Sequence, residues 1–94
     1  MAKNTMISGT TSTGFAFKVD PEAVRDMEFI ELAAQAEDNG LILPNMIEVL
    51  LGKKQKKALY DHVRKSNGRV LIDDVTAEIK EIFDALNTNA ETKN

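Results

Sequence analysis

Four lysines, Lys53, Lys54, Lys56 and Lys57, fall within five residues in the stretch LLGKKQKKALYDHV, in a chain whose net charge is -3. Lysines at that density can grip phosphates by releasing condensed counterions. The surroundings point the other way. The pI is near 5.1 and Tyr60 is the single aromatic in the stretch, so a solvated helix face is the plainer reading and no nucleic acid is favoured as a partner. Lysines in the first turn of a helix oppose its dipole. Lys57 and Asp61 at i,i+4 recover only about 0.2–0.5 kcal/mol, with the charges in the weaker order. That misfit points toward an acidic partner surface.

The other chemistry-bearing residues lead to capping and turns. His62 is the one histidine and there is no cysteine, so a metal site lacks companion ligands, and disulfides and thiol nucleophiles are excluded. Asp73 and Asp74 could form a carboxylate pair for acid or metal chemistry, but capping the helix that follows accounts for them with less. Glu28 with Glu31, and Glu78 with Glu81, sit three apart on what should be outer, solvated helix faces. Ser8, Ser12 and the neighbouring threonines are turn residues with no base placed in sequence to activate a nucleophile. No catalytic, cofactor-binding or metal residues are expected, and the chain reads as a non-enzyme.

The elements that carry these residues are legible. Ninety-four residues suit one domain with a modest core, ordered over about 5–87, and a polar tail, 88–94, that frays. Residues 5–19 predict a β-hairpin: Phe15, Phe17 and Val19 alternate with Ala16 and Lys18, behind a Gly, Ser and Thr-rich turn. Residues 20–39 predict a helix with Asp20 as N-cap, Pro21 at its first position and Asn39–Gly40 at its end. Val24, Met27, Ile30 and Ala34 form its apolar stripe, widened by Phe29, Ala33 and Ala36. Residues 44–52 predict a short buried helix closed by Gly52, and residues 53–66 a second one with Leu59, His62 and Val63 inward and Asn67–Gly68 at its end. Val75, Ile79, Ile82, Phe83 and Leu86 mark a last helix with Asp73 or Asp74 as N-cap. The expected fold class is therefore α+β, mainly helical, with an N-terminal hairpin and about four helices.

Candidate partner-binding residues are Phe15 and Phe17 on the hairpin, Met27, Met46 and Leu50 as an adaptable apolar group, and Lys53, Lys54, Lys56 and Lys57. Two roles stay open for the hairpin: covering one end of the helical core, or pairing its edge with a second copy or a client. Core packing is the plainer use of Met46 and Leu50. The first residues lack the apolar core of a signal peptide, and no apolar run reaches membrane length, so no membrane partner is expected.

The segments TMISGTTSTGFAFKVDPEAVRDMEFIELAAQAED and LPNMIEVLLGKKQKKALYDHVRKSNGRVLIDDVTAEIKEIFDAL together resemble the small tail assembly chaperones of long-tailed bacteriophages and related prophages. The resemblance covers about residues 5–86. Its best marker is VLLGKKQKKALYDHV, an apolar helix, Gly52, Gln55 and a second helix with Leu59 and Val63. RVLIDDVTAEIKEIFDAL is the second marker. The family favours acidic residues just after this glycine, where Lys53 and Lys54 stand here. The resemblance implies a protein of the bacterial host cytoplasm, absent from the mature virion. It would keep the tape-measure protein soluble and help recruit major tail protein, with self-association possible. Members of that family are often made in two forms, the longer by a ribosomal frameshift near the end of the short reading frame, and the terminal TKN could be encoded by a slippery A-rich run. The competing reading of the same residues is a small helix-turn-helix-like DNA-binding regulator that uses Lys53, Lys54, Lys56 and Lys57.

Overall fold

The structure, a computed structural model, describes residues 6–92, with side chains through residue 86. Strands β1 (Ile7–Thr10) and β2 (Ala16–Val19) pair antiparallel, with Ile7 opposite Val19 and Gly9 opposite Phe17. Strand alternation sends Phe17 and Val19 to one face, where both are buried with Phe15, while Ala16 and Lys18 face out. Gly9 is demanded by this register. A Cβ there would stand 2.7 Å from Cζ of Phe17, whose ring lies across the glycine. The hairpin thus roofs the helical core, because an isolated two-stranded ribbon is marginal until one face is covered.

Three α-helices follow where the sequence predicts about four. The first difference lies at Asp26. Residues 20–39 do not form one helix. Asp20 caps a short 3-10 turn over Pro21–Arg25, and Asp26 is extended (φ -70, ψ 129). The Asp26 carboxylate then accepts from the Glu28 N–H at 3.3 Å and starts α1 (Met27–Asp38) afresh. Asn39 ends α1 as expected, and its side chain also accepts from Leu41 N–H at the head of the 3-10 turn Gly40–Ile42.

The second difference lies at Gly52. The two expected helices run on as one span, α2 (Leu43–Val63), but the expected break is present: Gly52 is non-helical (φ 84, ψ 161) and kinks the chain between two helical segments. That region is open essentially to glycine alone. Gln55 mends the break. Its amide N–H groups reach the Leu51 carbonyl at 2.9 Å and the Lys18 carbonyl at 2.7 Å, and its oxygen accepts from Lys18 N–H at 2.8 Å. One side chain therefore satisfies a carbonyl at the kink and the open edge of β2, the accounting that buried or half-buried backbone requires.

α2 ends at Val63, and a turn closed by Gly68 N–H to Lys65 O leads to α3 (Ile72–Thr92). α3 begins one residue before Asp73, so Asp73 and Asp74 lie in its first turn and are not its N-cap. Asp74 instead meets Lys65 Nζ at 3.1 Å. The polar residues 88–92 continue α3, and residues 1–5 and 93–94 lie outside the described residues. The core is built from Met46, Ile47, Leu50, Leu51 and Leu59 of α2, Val75, Ile79, Ile82 and Leu86 of α3, the hairpin's Phe15, Phe17 and Val19, and a single buried residue of α1, Phe29. Phe29 meets Phe83 edge to face at 5.9 Å between centroids. Among the described residues no helix is long and apolar enough to cross a membrane.

Candidate functional site

The tertiary fold gathers one polar cluster that the sequence scatters over 70 positions. The hairpin tip, residues 11–15, bends down between α2 and α3. Thr13 Oγ1 lies 2.6 Å from Glu78 Oε2, 3.0 Å from His62 Nε2 and 3.2 Å from Thr11 Oγ1. Beside it, Ser12 donates both its N–H (2.8 Å) and its hydroxyl (2.7 Å) to the Glu81 carboxylate. These two bonds hold the Glu81 carboxyl below its ordinary value of 4.5. Glu78 is only 2% exposed, and Glu81 is half-buried. The expectation that both are solvated fails, because the descending tip covers the face of α3 on which they stand.

A hydroxyl, a histidine and a carboxylate in contact resemble a nucleophilic site, but the valences argue otherwise. A hydroxyl has one proton and two lone pairs. Thr13 gives its proton to Glu78, since a carboxylate can only accept. Its lone pairs then take N–H from His62 and O–H from Thr11, whose own oxygen accepts from Phe15 N–H at 3.1 Å. No lone pair is left to attack a substrate, and His62 donates where a general base would accept. The His62 ring also leans on Phe15 at 5.5 Å. The cluster is a clamp that fixes the hairpin to both helices. Sequence reasoning missed it, and the only signal was the unusual density of hydroxyls at the tip.

The lysines do not form one open patch. Lys56 is drawn back across the kink to Glu48 at 3.1 Å and lies 5.9 Å from the Tyr60 ring. Lys57 reaches Asp61 at 3.3 Å, and Arg64 reaches the other Asp61 oxygen at 3.1 Å. Those contacts, Arg64 first, hold the Asp61 carboxyl below its ordinary 3.8. Lys53 and Lys54 are exposed, with no ion-pair partner among the described residues. Exposed pairs of this kind contribute about 0–1 kcal/mol each, so they shape the surface potential more than they stabilise the fold.

Of the expected partner-binding residues, Phe15, Phe17, Met46 and Leu50 are 4–5% exposed, their surface already committed to the core. Met27 is 65% exposed. It belongs to the very stripe expected to face the core, and that stripe faces outward instead. Phe29, Leu32, Ala33 and Ala36 turn α1 toward the core, which leaves Met27, Ile30 and Ala34 on its outer face. Burying one Phe against Phe83 outweighs burying Met27, whose loss of rotamer freedom is larger. Leu41, 85% exposed, follows at the end of α1, and Ile72 lies beside Gly40. Apolar surface on a helix and its adjoining corner marks an interaction face more often than scattered single residues do.

The chain matches no protein-family model, no curated protein and no solved structure.

Proposed function

We propose that the protein is a non-enzymatic chaperone that covers apolar helical surface on a client, and specifically a tail assembly chaperone that holds a phage tape-measure protein soluble and helps recruit major tail protein. The observation that carries this reading is the outward stripe of Met27, Ile30 and Ala34 on α1. The near full-length pattern resemblance supports it independently, and so does a polar cluster in which the proton and lone pairs of the Thr13 hydroxyl are spent on holding the fold.

The physics suits the task. A long helical client exposes apolar stripes before assembly and would self-associate through them. A helix with an open apolar face covers such a stripe by helix-on-helix packing. Displacement by tail subunits requires modest affinity per module, and many modules per client restore avidity. The work belongs in the host cytoplasm, before the virion is complete. Duplex binding draws less support, because Lys56 and Lys57 are drawn to carboxylates.

Co-expression with tape-measure fragments tests the reading. A fragment that stays soluble and co-purifies only with this protein supports it. A fragment that aggregates equally in its presence ends it. Duplex binding that falls steeply with salt, and is lost when Lys53, Lys54, Lys56 and Lys57 are replaced by Gln, would move the protein to the regulator reading.

A further inference from the structure

The stripe on α1 has a chemical frame that specifies its occupant. The helix holds Glu28, Glu31, Glu37 and Asp38, follows Asp26, and has no basic residue. At 100° per residue, Met27, Ile30 and Ala34 occupy one outer sector, with Glu31 and Asp38 along one side of it and Glu37 along the other. An apolar strip between two acidic rails repels nucleic acid, anionic lipid and acidic peptides. A second copy of this chain is a poor match as well. Its basic arm has Lys56, Lys57 and Arg64 engaged by Glu48 and Asp61, which leaves Lys53 and Lys54 on that arm.

We propose that the outer face of α1 docks a basic amphipathic helix, one that lays apolar side chains at i, i+3 and i+7 on Met27, Ile30 and Ala34 and sets Lys or Arg on both flanks against Glu31, Asp38 and Glu37. The 12 residues of α1 span about 18 Å, so a partner of about three turns covers it. The proposal rests on the client-binding reading and names the chemistry of the client segment. The rails supply orientation and encounter rate, and the strip supplies the residence time. A partner of the same apolar pattern but acidic flanks is rejected, because each approach places like charges together.

The test uses the full chain and two synthetic amphipathic peptides that share one apolar stripe and differ only in Lys or Glu flanks. The Lys-flanked peptide binds in an anisotropy titration, and the Glu-flanked one binds at least about tenfold more weakly. Binding of the first weakens as salt rises. Ile30→Asp and Met27→Asp each lower it about tenfold or more, with thermal unfolding unchanged because both side chains are exposed. The double variant Glu31→Lys, Glu37→Lys reverses the preference between the peptides. Equal binding of both peptides, binding of neither, or wild-type behaviour in the variants overturns the proposal. A dimer in sedimentation that Met27→Asp dissolves also overturns it, by placing a second copy on the face. A tape-measure fragment retained by Ile30→Asp removes this docking site and leaves the chaperone reading standing. A fragment bound by no form of the protein ends that reading, and the peptide titration then decides the docking site on its own.

Discussion

α1 and α3 both carry apolar stripes that the sequence shows, and the fold treats them in opposite ways. α3 turns Val75, Ile79, Ile82 and Leu86 inward as a continuous seam, with every member buried. α1 buries Phe29 alone and leaves Met27 and Ile30 in solvent. The patterns differ in one respect. From Val75 onward the large apolar residues of α3 fall on a single sector, so one orientation turns them all toward the core. Those of α1 spread over two sectors, one led by Phe29 and one by Met27 and Ile30. A helix can give only one sector to the core. The aromatic side wins because it buries the larger area and gains the edge-to-face contact with Phe83. The losing sector becomes available surface.

Substitutions on the two helices bear on this contrast directly. Phe29→Ala has the largest expected effect, about 3–5 kcal/mol in urea unfolding, since it removes the sole buried anchor of α1. Its hydrogen-exchange signature should be loss of protection in α1 ahead of α3. Equal loss in both helices would show that α1 is held by more than Phe29. Ile82→Ala, at a fully buried site, should cost about 2–5 kcal/mol and weaken the whole fold cooperatively.

Gly52→Ala comes next. A non-glycine residue at φ 84 and ψ 161 is strained by about 1–3 kcal/mol, although no neighbour crowds the added carbon. A wild-type midpoint in Gly52→Ala would show that α2 straightens without loss. The acid limb of the stability curve carries a smaller effect. The folded carboxyl of Glu81 lies below its unfolded value of 4.5, so its contribution is present above that value and is lost as pH falls through the folded one. Glu81→Gln should flatten this limb by lowering neutral stability slightly toward the wild-type value at acid pH, as a pH series of thermal melts would show. Met27→Gln is the smallest, within about 0.5 kcal/mol, because the side chain is already in water. A large loss there would place Met27 in the core and erase the contrast.

Much of the architecture was legible in the chain. The alternation of Phe15, Phe17 and Val19 marks the hairpin, and the spacing from Val75 to Leu86 marks α3 and its buried face. Asn39 marks the end of α1. Local signals such as caps and periodicity reach only a few residues, and they misled wherever two local rules competed. Asp20 and Asp26 both cap, so one expected helix became a 3-10 turn and a helix. Gly52 does break the helical path, but Gln55 bridges the break from the next turn, so the two segments run on as one span.

The clamp was not legible at all. Thr13, His62 and Glu78 are separated by 49 and 65 positions in the contacts they make, and no spacing rule links a hairpin tip to two distant helices. Glu78 and Glu81 read as outer-face residues because sequence cannot say what will descend over a helix. Likewise the stripe of α1 was visible, but its direction was not.

By itself, then, the amino-acid order determined where chain segments become strands and helices, which residues are apolar enough to need cover, and that no cysteine chemistry is available. Tertiary structure alone decided which of two competing faces of α1 is covered, which carboxylates lose their water, and which lysines keep their charge unpaired. The reason is physical. Periodicity is a property of neighbours in the chain, whereas burial and pairing are differences between alternative packings, and the larger apolar surface removed from water selects among them.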